Sequence, residues 1–545
     1  MKTRYFICSL VSLLVCATSF AQNHSGIELF NLGELTTAKQ LFEGSKGVSP
    51  DISYYYLGEI ALKEGKNSEA LEYFNKGINA DSDAVFCSIG KVKIEQKASP
   101  KELSKELKNI QKKNKKDIAV LVQIAKAYWD VDMIADAEST LSAARSIDKN
   151  SALPYLLGGD ILLKKGNIGE AASQYEQAYT FDPSCVVAYI KNALVYETTN
   201  STTSINTLKS GLEANPNNTL INKYLADIYY HHGFYQQAID AYNLFFQSNN
   251  QSLADLKNYA ASFYFTDNYE KALEIIQEVL AVDPNNRVMN RLLMYTFDKQ
   301  KKFDKALDAS EKLFALSPDD TQTPLLANDY IVYGDILREN GDLDKAIVQY
   351  DKAIALDTEK LDVLKDIAGK LVNANRFVEA GKLYDRYIEL AKETESSDYL
   401  LMGIAYYQAA VKASKDEIEK DQTKLVEYTT KAEAAFSMVI DLVPDSYQGY
   451  YWRANVKTLL DADLSKGLAN DDYLKMIEVI KSNDLDSNIN KLVEGYRYLS
   501  IYYLYQFDSN KKDSDKQSAK KYAEQVLELN SNDDTAQKIL EVLSN

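Results

Sequence analysis

Small and apolar residues recur along this chain with a period of 34 positions. Ala238, Ala272 and Ala306 follow one another at that interval, and each closes a similar segment, GFYQQA, DNYEKA or KKFDKA. Around each alanine, apolar residues lie three and four positions apart, which is the spacing of one helical face. Pro284 and Pro318 end the last two copies. Two helices of about 14 residues with short turns fill such a period, so the pattern predicts successive helix hairpins.

The same pattern occurs elsewhere in the chain and resembles the tetratricopeptide repeat. Small residues are needed where two helices of a hairpin cross closely, and larger side chains fill the space around them. The residues that match the repeat are Tyr54, Leu57, Gly58, Ala70 and Phe74 in one segment, Gly159, Gly166, Ala171, Tyr175, Ala178 and Pro183 in a second, and Tyr333, Gly334, Gly341, Ala346, Tyr350 and Ala353 in a third. The resemblance implies an all-α fold, a right-handed superhelical solenoid of antiparallel hairpins with about 14 repeats.

Some copies depart from the period. A lysine-rich helix at 99–116 replaces an ordinary second helix, and 412–427 lengthens the segment between two helices. An insertion at Asp319–Pro324 is either a bend between two superhelical segments or a longer surface turn. We predict an N-terminal solenoid at 22–318 and a C-terminal solenoid at 319–545, which has divergent repeats and a closing helix at Thr535–Leu543.

The first 21 residues have the order of a secretory signal peptide. Lys2 and Arg4 precede a short apolar run, and the pattern Ser19-Phe20-Ala21 is typical of a cleavage site. A lipoprotein would use Cys16, but Val15 stands where a small residue is required. We therefore expect an exported protein, cleaved near Ala21, that is periplasmic, associated with the outer membrane or extracellular.

The net charge disfavours one class of partner, and the positions of the cysteines disfavour a disulfide. The net charge is −17, which disfavours nucleic acid binding through bulk electrostatics. Outside the leader, the cysteines are Cys87 and Cys185. They would lie about three repeats apart in a solenoid, too far for a disulfide, so we interpret both as buried apolar residues.

Candidate catalytic and metal sites are weak. His231 and His232 are adjacent on one predicted helix and point about 100° apart, so they do not easily share a metal ion. The acidic run 461–472 has oxygen-bearing side chains at several positions of a calcium loop, but Gly467 is one position late. Either calcium or a capped helix start explains that run. We predict no catalytic residue, no metal site and no cofactor.

The resemblance implies that the first helix of each hairpin lines a concave groove. The predicted groove residues, three of which are cations 34 positions apart, are Lys223, Asp227, Tyr230, Lys257, Tyr264, Arg291 and Tyr295. Members that bind chaperones use a carboxylate clamp. Lys223 and Asn258 match it, but Asp227, Val288 and Leu292 replace its other residues, which argues against the same ligand.

We therefore predict a protein–protein interaction scaffold or adaptor of the gram-negative cell envelope, which binds partners through the groove. The alternative is a receptor or chaperone-like binder of extended peptides with acidic or carboxylate groups. The predicted partners are other proteins or peptides, with envelope complexes among them, and no nucleic acid.

Overall fold

The computed structural model describes residues 23–216, 218–248, 252–316, 323–415, 422–483 and 486–544. Within these ranges the regular structure is helical, and no β-strand occurs. The leader at 1–21, most of the insertion at 319–324 and the middle of the 412–427 segment lie outside the described residues. The predicted all-α fold class is confirmed.

The helices of the first part of the chain are α1 (23–32), α2 (Leu35–Ser45), α3 (Pro50–Lys63), α4 (Asn67–Ala80), α5 (Val85–Glu95), α6 (Pro100–Lys113), α7 (Ile118–Trp129), α8 (Ile134–Ile147), α9 (Leu153–Lys164), α10 (Ile168–Phe181), α11 (Val186–Tyr196), α12 (Ser201–Ala214), α13 (Thr219–His231), α14 (Tyr235–Phe245), α15 (Leu253–Phe265), α16 (Tyr269–Val282) and α17 (Arg287–Lys299).

The remaining helices are α18 (Phe303–Ala315), α19 (Ala327–Glu339), α20 (Leu343–Leu356), α21 (Val363–Asn373), α22 (Phe377–Leu390), α23 (Ser396–Lys415), α24 (Gln422–Leu442), α25 (Tyr447–Leu460), α26 (Asn470–Asn483), α27 (Ile489–Asn510), α28 (Asp513–Leu529) and α29 (Asp534–Ser544). Short 3₁₀ turns follow at Phe246–Ser248, Thr358–Lys360 and Asp486–Asn488. Taken two at a time, the described helices make 14 pairs and leave α29, in agreement with the predicted repeat number.

Most hairpin turns pass through one residue in the left-handed backbone region. These residues, largely glycine or a short polar residue that tolerates positive φ, are Gly33, Gly65, Asp132, Gly166, Gly233, Asp267, Lys301, Gly341 and Asn375. Among the described residues, Gly467 between α25 and α26 and Lys511 between α27 and α28 also have positive φ, whereas the turns after α5 and α11 contain no such residue. The 34-residue period thus includes a fixed backbone reversal, which returns the second helix along the first.

A glycine against an aromatic ring marks where the helices of a hairpin cross. A Cβ atom added to Gly334 on α19 would lie 2.4 Å from the Tyr350 ring on α20. Gly58 stands in the same way against Phe74, at 2.3 Å. Because no side chain fits between the two, the first helix approaches the ring directly, as predicted from the small residues of the pattern.

The chain divides into two compact units, one ending at Thr296 and the other beginning at Phe297, so the division falls within α17. The domain boundary predicted from the sequence lies further along, at 318–319, and it stays a prediction. Within the first unit, Cys87 is buried and Cys185 half-buried, and both are free thiols. In the second unit, α23 and α24 are 20 and 21 residues long, so the inserted residues at 412–415 and 422–427 extend these helices.

Candidate partner-binding surface

Lys223 on α13 is enclosed by three carboxylates of its own chain. Its ammonium lies 2.9 Å from Glu34, 3.3 Å from Asp227 and 3.5 Å from Asp255, and its side chain is only 12% exposed. Burial alone would lower the pKa of Lys223, but Asp227 and Asp255 raise it above its ordinary value. A cation with three intrachain partners has little capacity left for a ligand, so Lys223 belongs to the internal packing of the unit.

Glu34 belongs to the N-terminal hairpin α1–α2, which lies against first helices much later in the chain. Leu32 packs against two clusters of buried side chains, one formed around α9–α11 and the other around α11–α17. A cavity of about 290 Å³ is lined by Asn31 and Leu32 together with Asp160 on α9 and Lys191 on α11. First helices line the groove that the repeat pattern implies, so the hairpin occupies part of the predicted binding surface. Sequence reasoning missed this contact.

Asp227 also has a structural task. It accepts hydrogen bonds from the Tyr242 hydroxyl and from the Asn258 amide, the latter at 3.2 Å. The same pairing of a first-helix aspartate with a tyrosine 15 residues later occurs between Asp160 and Tyr175, at 2.7 Å. Burial raises the pKa of Tyr242 well above its ordinary value, and the neighbouring Asp227 raises it further. The hydroxyl therefore stays protonated and can donate its hydrogen bond.

The predicted tyrosines, in contrast, belong to a continuous surface of rings. Tyr264 on α15 and Tyr295 on α17 lie 6.4 Å apart between ring centroids. Tyr230 joins them through Tyr235, at 6.0 Å, and through Phe265, which stacks on Tyr235 at 4.5 Å and touches Tyr264 at 5.3 Å. We call the set the aromatic strip; its members are Tyr230, Tyr235, Tyr264, Phe265, Tyr269 and Tyr295.

The aromatic strip is open to solvent. Phe265 is 50% exposed although it is a large apolar side chain, and the other members are half-buried. Five of its rings lie at the hairpin turns where α13 and α15 end and α14 and α16 begin, and Tyr295 lies near the end of α17. Tyr235 and Tyr269 were not predicted from the sequence. They could have been, because they occupy the same position of successive 34-residue copies.

Two predicted cations accompany the strip. Lys257 on α15 and Arg291 on α17 are half-buried, and Lys257 makes no ion pair within the ranges that the structure describes. They share helices with Tyr264 and Tyr295, two turns or less away along the chain. The structure therefore keeps the predicted combination of cations and aromatic rings on α15 and α17, although Lys223 and Asp227 are engaged elsewhere.

A second surface with surplus positive charge lies among α3, α5, α7 and α9. The side chain of Glu59 is only 3% exposed, and its carboxylate forms ion pairs with Lys93 at 2.5 Å and with Lys126 at 2.7 Å. Both lysines also form ion pairs with Asp130. This cluster lines a cavity of about 340 Å³, whose wall also holds Lys63, Lys97 and Lys164. None of those three lysines has a carboxylate partner among the described residues. We call this cavity the lysine pocket.

Possible metal ligands are occupied by other partners. His231 lies 2.7 Å from Glu197, and His232 lies 3.0 Å from the backbone oxygen of the same residue. In the acidic run, Asp472 pairs with Arg453 and Lys457, while Asp461 accepts backbone N–H groups of the following turn. Across the described parts of the chain, no group of three or more side chains is arranged to hold a metal ion.

Comparisons with known proteins identify the repeats. The model of the tetratricopeptide repeat matches residues 53–83, 155–185 and 330–360, so the chain contains tetratricopeptide repeats. These segments are the hairpins α3–α4, α9–α10 and α19–α20, which hold glycine–aromatic crossings. None of the described helices has the length and apolar character needed to cross a membrane.

Curated relatives share part of the chain. Protein O-mannosyl-transferase TMTC1 of Homo sapiens is 27% identical over 197 residues, which cover 30% of this chain and 22% of that protein. Tetratricopeptide repeat protein 1 of Schizosaccharomyces pombe is 26% identical over 235 residues, 42% of this chain and 20% of that protein. The chain therefore spans about a fifth of the length of these relatives, and the transferase activity named for the first is not carried over.

Solved structures were also similar. The C-terminal part of a TPR repeat-containing protein from Cytophaga hutchinsonii is 25% identical and covers 52% of this chain and 99% of its own, with a TM-score of 0.31. A tetratricopeptide repeat protein from Parabacteroides merdae is 20% identical and covers 44% of this chain and 93% of its own, with the same TM-score.

Proposed function

We propose that this chain is a protein–protein interaction scaffold of the bacterial cell envelope. Tetratricopeptide repeats support a general role in protein binding, because stacked hairpins present long surfaces and carry no catalytic group of their own. The envelope location rests on the leader pattern at 1–21. Mass spectrometry of protein from the native host should find an N-terminus at Gln22, and an intact Met1 would contradict export.

The observation that carries the proposed binding role is the exposed aromatic strip. Six rings in continuous contact run from α13 to α17, and the ring of Phe265 is half exposed. Rigid aromatic side chains bury much area on binding and lose little conformational entropy, which is why they dominate the energetics of protein interfaces. A folded chain gains nothing from leaving such a surface in water.

The partner-binding residues follow from this geometry. Of the predicted groove residues, Tyr230, Lys257, Tyr264, Arg291 and Tyr295 remain candidates for contact with a partner. The half-buried Lys257 and Arg291 add cations beside the rings and favour a partner with acidic groups next to its apolar contact. Lys223 and Asp227 hold the N-terminal hairpin and the α13–α15 packing instead.

Site-specific photo-crosslinking tests this proposal. A photoreactive phenylalanine analogue at Phe265 should capture a defined envelope protein, while the same analogue at Tyr505, an exposed ring of α27, should not. The captured partner, once purified, should bind the wild-type chain and lose at least about tenfold in affinity to Phe265→Ser, as expected for an anchor residue. Equal affinity for both chains would overturn the assignment of the strip.

A receptor for acidic peptides is the second candidate, and the lysine pocket favours it. Lys63, Lys97 and Lys164 outnumber the carboxylates left to pair with them, because Glu59 and Asp130 are already bound to Lys93 and Lys126. Burial lowers the pKa of Lys63, and the nearby charges of Lys126 and Lys191 lower it further. A bound carboxylate would offset this repulsion between the lysines.

Fluorescence anisotropy separates the two candidates. A glutamate-rich peptide should bind more tightly than its glutamine counterpart, and the double variant Lys63→Gln, Lys164→Gln should abolish the difference. The matched control replaces Lys149 and Lys209, two exposed lysines outside the pocket, and should bind like the wild type. Indifference of the wild-type chain to peptide charge would rule out the receptor and leave the scaffold proposal standing.

A further inference from the structure

Helix α6 presents the most concentrated positive charge of the described residues. Seven lysines, all exposed, occupy the helix and the turn after it; they are Lys101, Lys105, Lys108, Lys112, Lys113, Lys115 and Lys116. We call this set the lysine face. Only Glu102 and Glu106 offset it within the same stretch, in a protein whose net charge is −17. The sequence marks the stretch, and the structure shows which way its charges point.

Packing fixes the orientation of the lysine face. Leu103 and Leu107 are fully buried on α6 and contact the cluster that includes Tyr128 on α7. The lysines lie on the opposite side, where Lys105 pairs with Glu102 at 3.2 Å and Lys108 approaches Asp136 at 3.7 Å. The other five lysines have no carboxylate within ion-pair distance in the described parts of the chain.

Much of this charge does not stabilise the helix itself. Lys101, Lys105, Lys108 and Lys112 follow one another at intervals of four, three and four residues, which places like charges side by side on the helix surface. Such neighbours repel and lower helix stability. Lys112 and Lys113 suit the negative end of the helix dipole, but that does not explain the row as a whole. An external anion would turn the repulsion into attraction.

The composition of the lysine face favours one class of anionic partner. Residues 101–116 contain no aromatic side chain on which a base could stack and no arginine to grip a phosphate with two hydrogen bonds. Protein interfaces, in turn, are anchored by aromatic residues and arginine and are poor in lysine. A row of lysines without apolar anchors is the pattern that binds the anionic headgroups of a lipid surface.

We propose that the lysine face of α6 docks the protein on an anionic membrane surface by electrostatic attraction, without inserting into the lipid. The apolar side of α6 is already used within the fold, so the interaction is peripheral and reversible. It is independent of the aromatic strip, which lies on other helices, and a scaffold bound in this way would hold its partners at the membrane.

Vesicle flotation tests the proposal. The full chain should float with vesicles of phosphatidylethanolamine and phosphatidylglycerol and stay behind with vesicles of phosphatidylcholine alone. Raising the salt from ~0.1 M to ~1 M should release it, because the Debye length falls from about 10 Å to about 3 Å. The variant Lys101→Gln, Lys105→Gln, Lys112→Gln, Lys113→Gln should bind at least about tenfold more weakly, because every lysine near an anionic surface contributes to the attraction and four are removed.

A control with the same charge change isolates the site. Lys511, Lys512, Lys520 and Lys521 are exposed near α28 in the other unit, and their replacement by glutamine should leave flotation unchanged. Circular dichroism should show both variants folded. Equal losses in the two variants, no flotation of the wild type, or tighter binding to double-stranded DNA or polyglutamate than to the anionic vesicles would each overturn the proposal.

Discussion

Glu34 and Lys223 are 189 residues apart in the chain, and their side chains form an ion pair of 2.9 Å. The Tyr224 hydroxyl also reaches Glu34, at 3.5 Å, and Asp255 lies on the other side of the same lysine. These polar contacts hold the N-terminal hairpin against α13, which lies six hairpins further along the chain. Leu32 adds an apolar contact beside them. Removing the lysine would leave several carboxylates facing one another.

The two ends of this ion pair are not equivalent, and substitution should show it. Lys223→Met leaves Glu34, Asp227 and Asp255 without their shared cation and should destabilise the first unit by about 3–5 kcal/mol. Glu34→Gln leaves Lys223 with two other carboxylates and should cost about 1 kcal/mol or less. Hydrogen exchange followed by mass spectrometry measures both, since residues 23–45 should lose protection first.

The control for this prediction is the partly exposed pair of Glu43 and Lys46, on and just after α2 in the same hairpin. Glu43→Gln should leave the exchange of residues 23–45 close to that of the wild type. If Lys223→Met and Glu43→Gln behaved alike, the cluster around Lys223 would not be what holds the hairpin.

Sequence periodicity could predict the hairpins but not this closure. A 34-residue pattern reports contacts between neighbouring copies, such as Gly58 against Phe74, because the same residue types recur wherever the same crossing recurs. The contact of Glu34 with Lys223 occurs once and obeys no period. For the same reason Lys223 was predicted to line an open groove, although a distant part of the chain covers it.

The close crossings make a prediction about glycine. Gly334→Ala would place a methyl group 2.4 Å from the buried Tyr350 ring and should destabilise the second unit by about 1–3 kcal/mol through overpacking. Gly369→Ala is the matched change, since nothing lies within 4 Å of the added Cβ in the interior of α21. It should stabilise by about 0.5–1 kcal/mol. Thermal unfolding of the two variants should shift the melting temperature in opposite directions.

Part of the candidate site was predictable for a physical reason. Tyr230 and Tyr264 occupy equivalent positions of successive first helices, so stacking of the hairpins brings their helices together. Phe265 links them at the end of α15. In the preceding copy, however, the equivalent position is occupied by a polar residue, His231. Which ring bridges the turn therefore depends on side-chain packing that no repeat pattern specifies.

The charge cluster of Glu59, Lys93, Lys126 and Asp130 should weaken in acid. Burial alone would raise the pKa of Asp130, but Lys126 and Lys93 lower it from 3.8 to about 2. The folded state then favours the ionised carboxylate, so its stabilisation is present above pH 3.8 and is lost as the pH falls towards 2. Asp130→Asn should cost about 1–2 kcal/mol at neutral pH, allowing for partial solvent screening.

Urea unfolding of the wild type and of Asp130→Asn at a series of pH values measures this contribution. The difference in stability between the two chains should be constant at neutral pH and should shrink below pH 3.8. Glu138→Gln, which removes an exposed carboxylate paired with Lys165, is the comparison and should show little difference at any pH. A gap between wild type and Asp130→Asn that persists to pH 2 would contradict the assignment.

Asp298, at the end of α17 in the second unit, should have the opposite pH dependence. Burial and then the neighbouring Asp335 raise its pKa from 3.8 to about 6, and Glu339 adds to this while Lys299 and Arg338 oppose it. Because the folded state disfavours the charged carboxylate, folding is penalised above pH 6, and the penalty fades as the pH falls towards 3.8. Asp298→Asn should therefore stabilise the unit by about 1–2 kcal/mol at pH ~7.5.

The gain from Asp298→Asn should fall to roughly half near pH 5 and nearly vanish near pH ~3, since both folded and unfolded chains then carry a protonated carboxyl group. Urea unfolding at these pH values measures it, and Asp308→Asn, an exposed aspartate of α18, provides the matched control. A gain that did not depend on pH would mean that the asparagine improves packing or hydrogen bonding. A loss of stability at pH ~7.5 would mean that the Asp298 carboxylate is stabilised by Lys299 and Arg338 more strongly than Asp335 and burial oppose it.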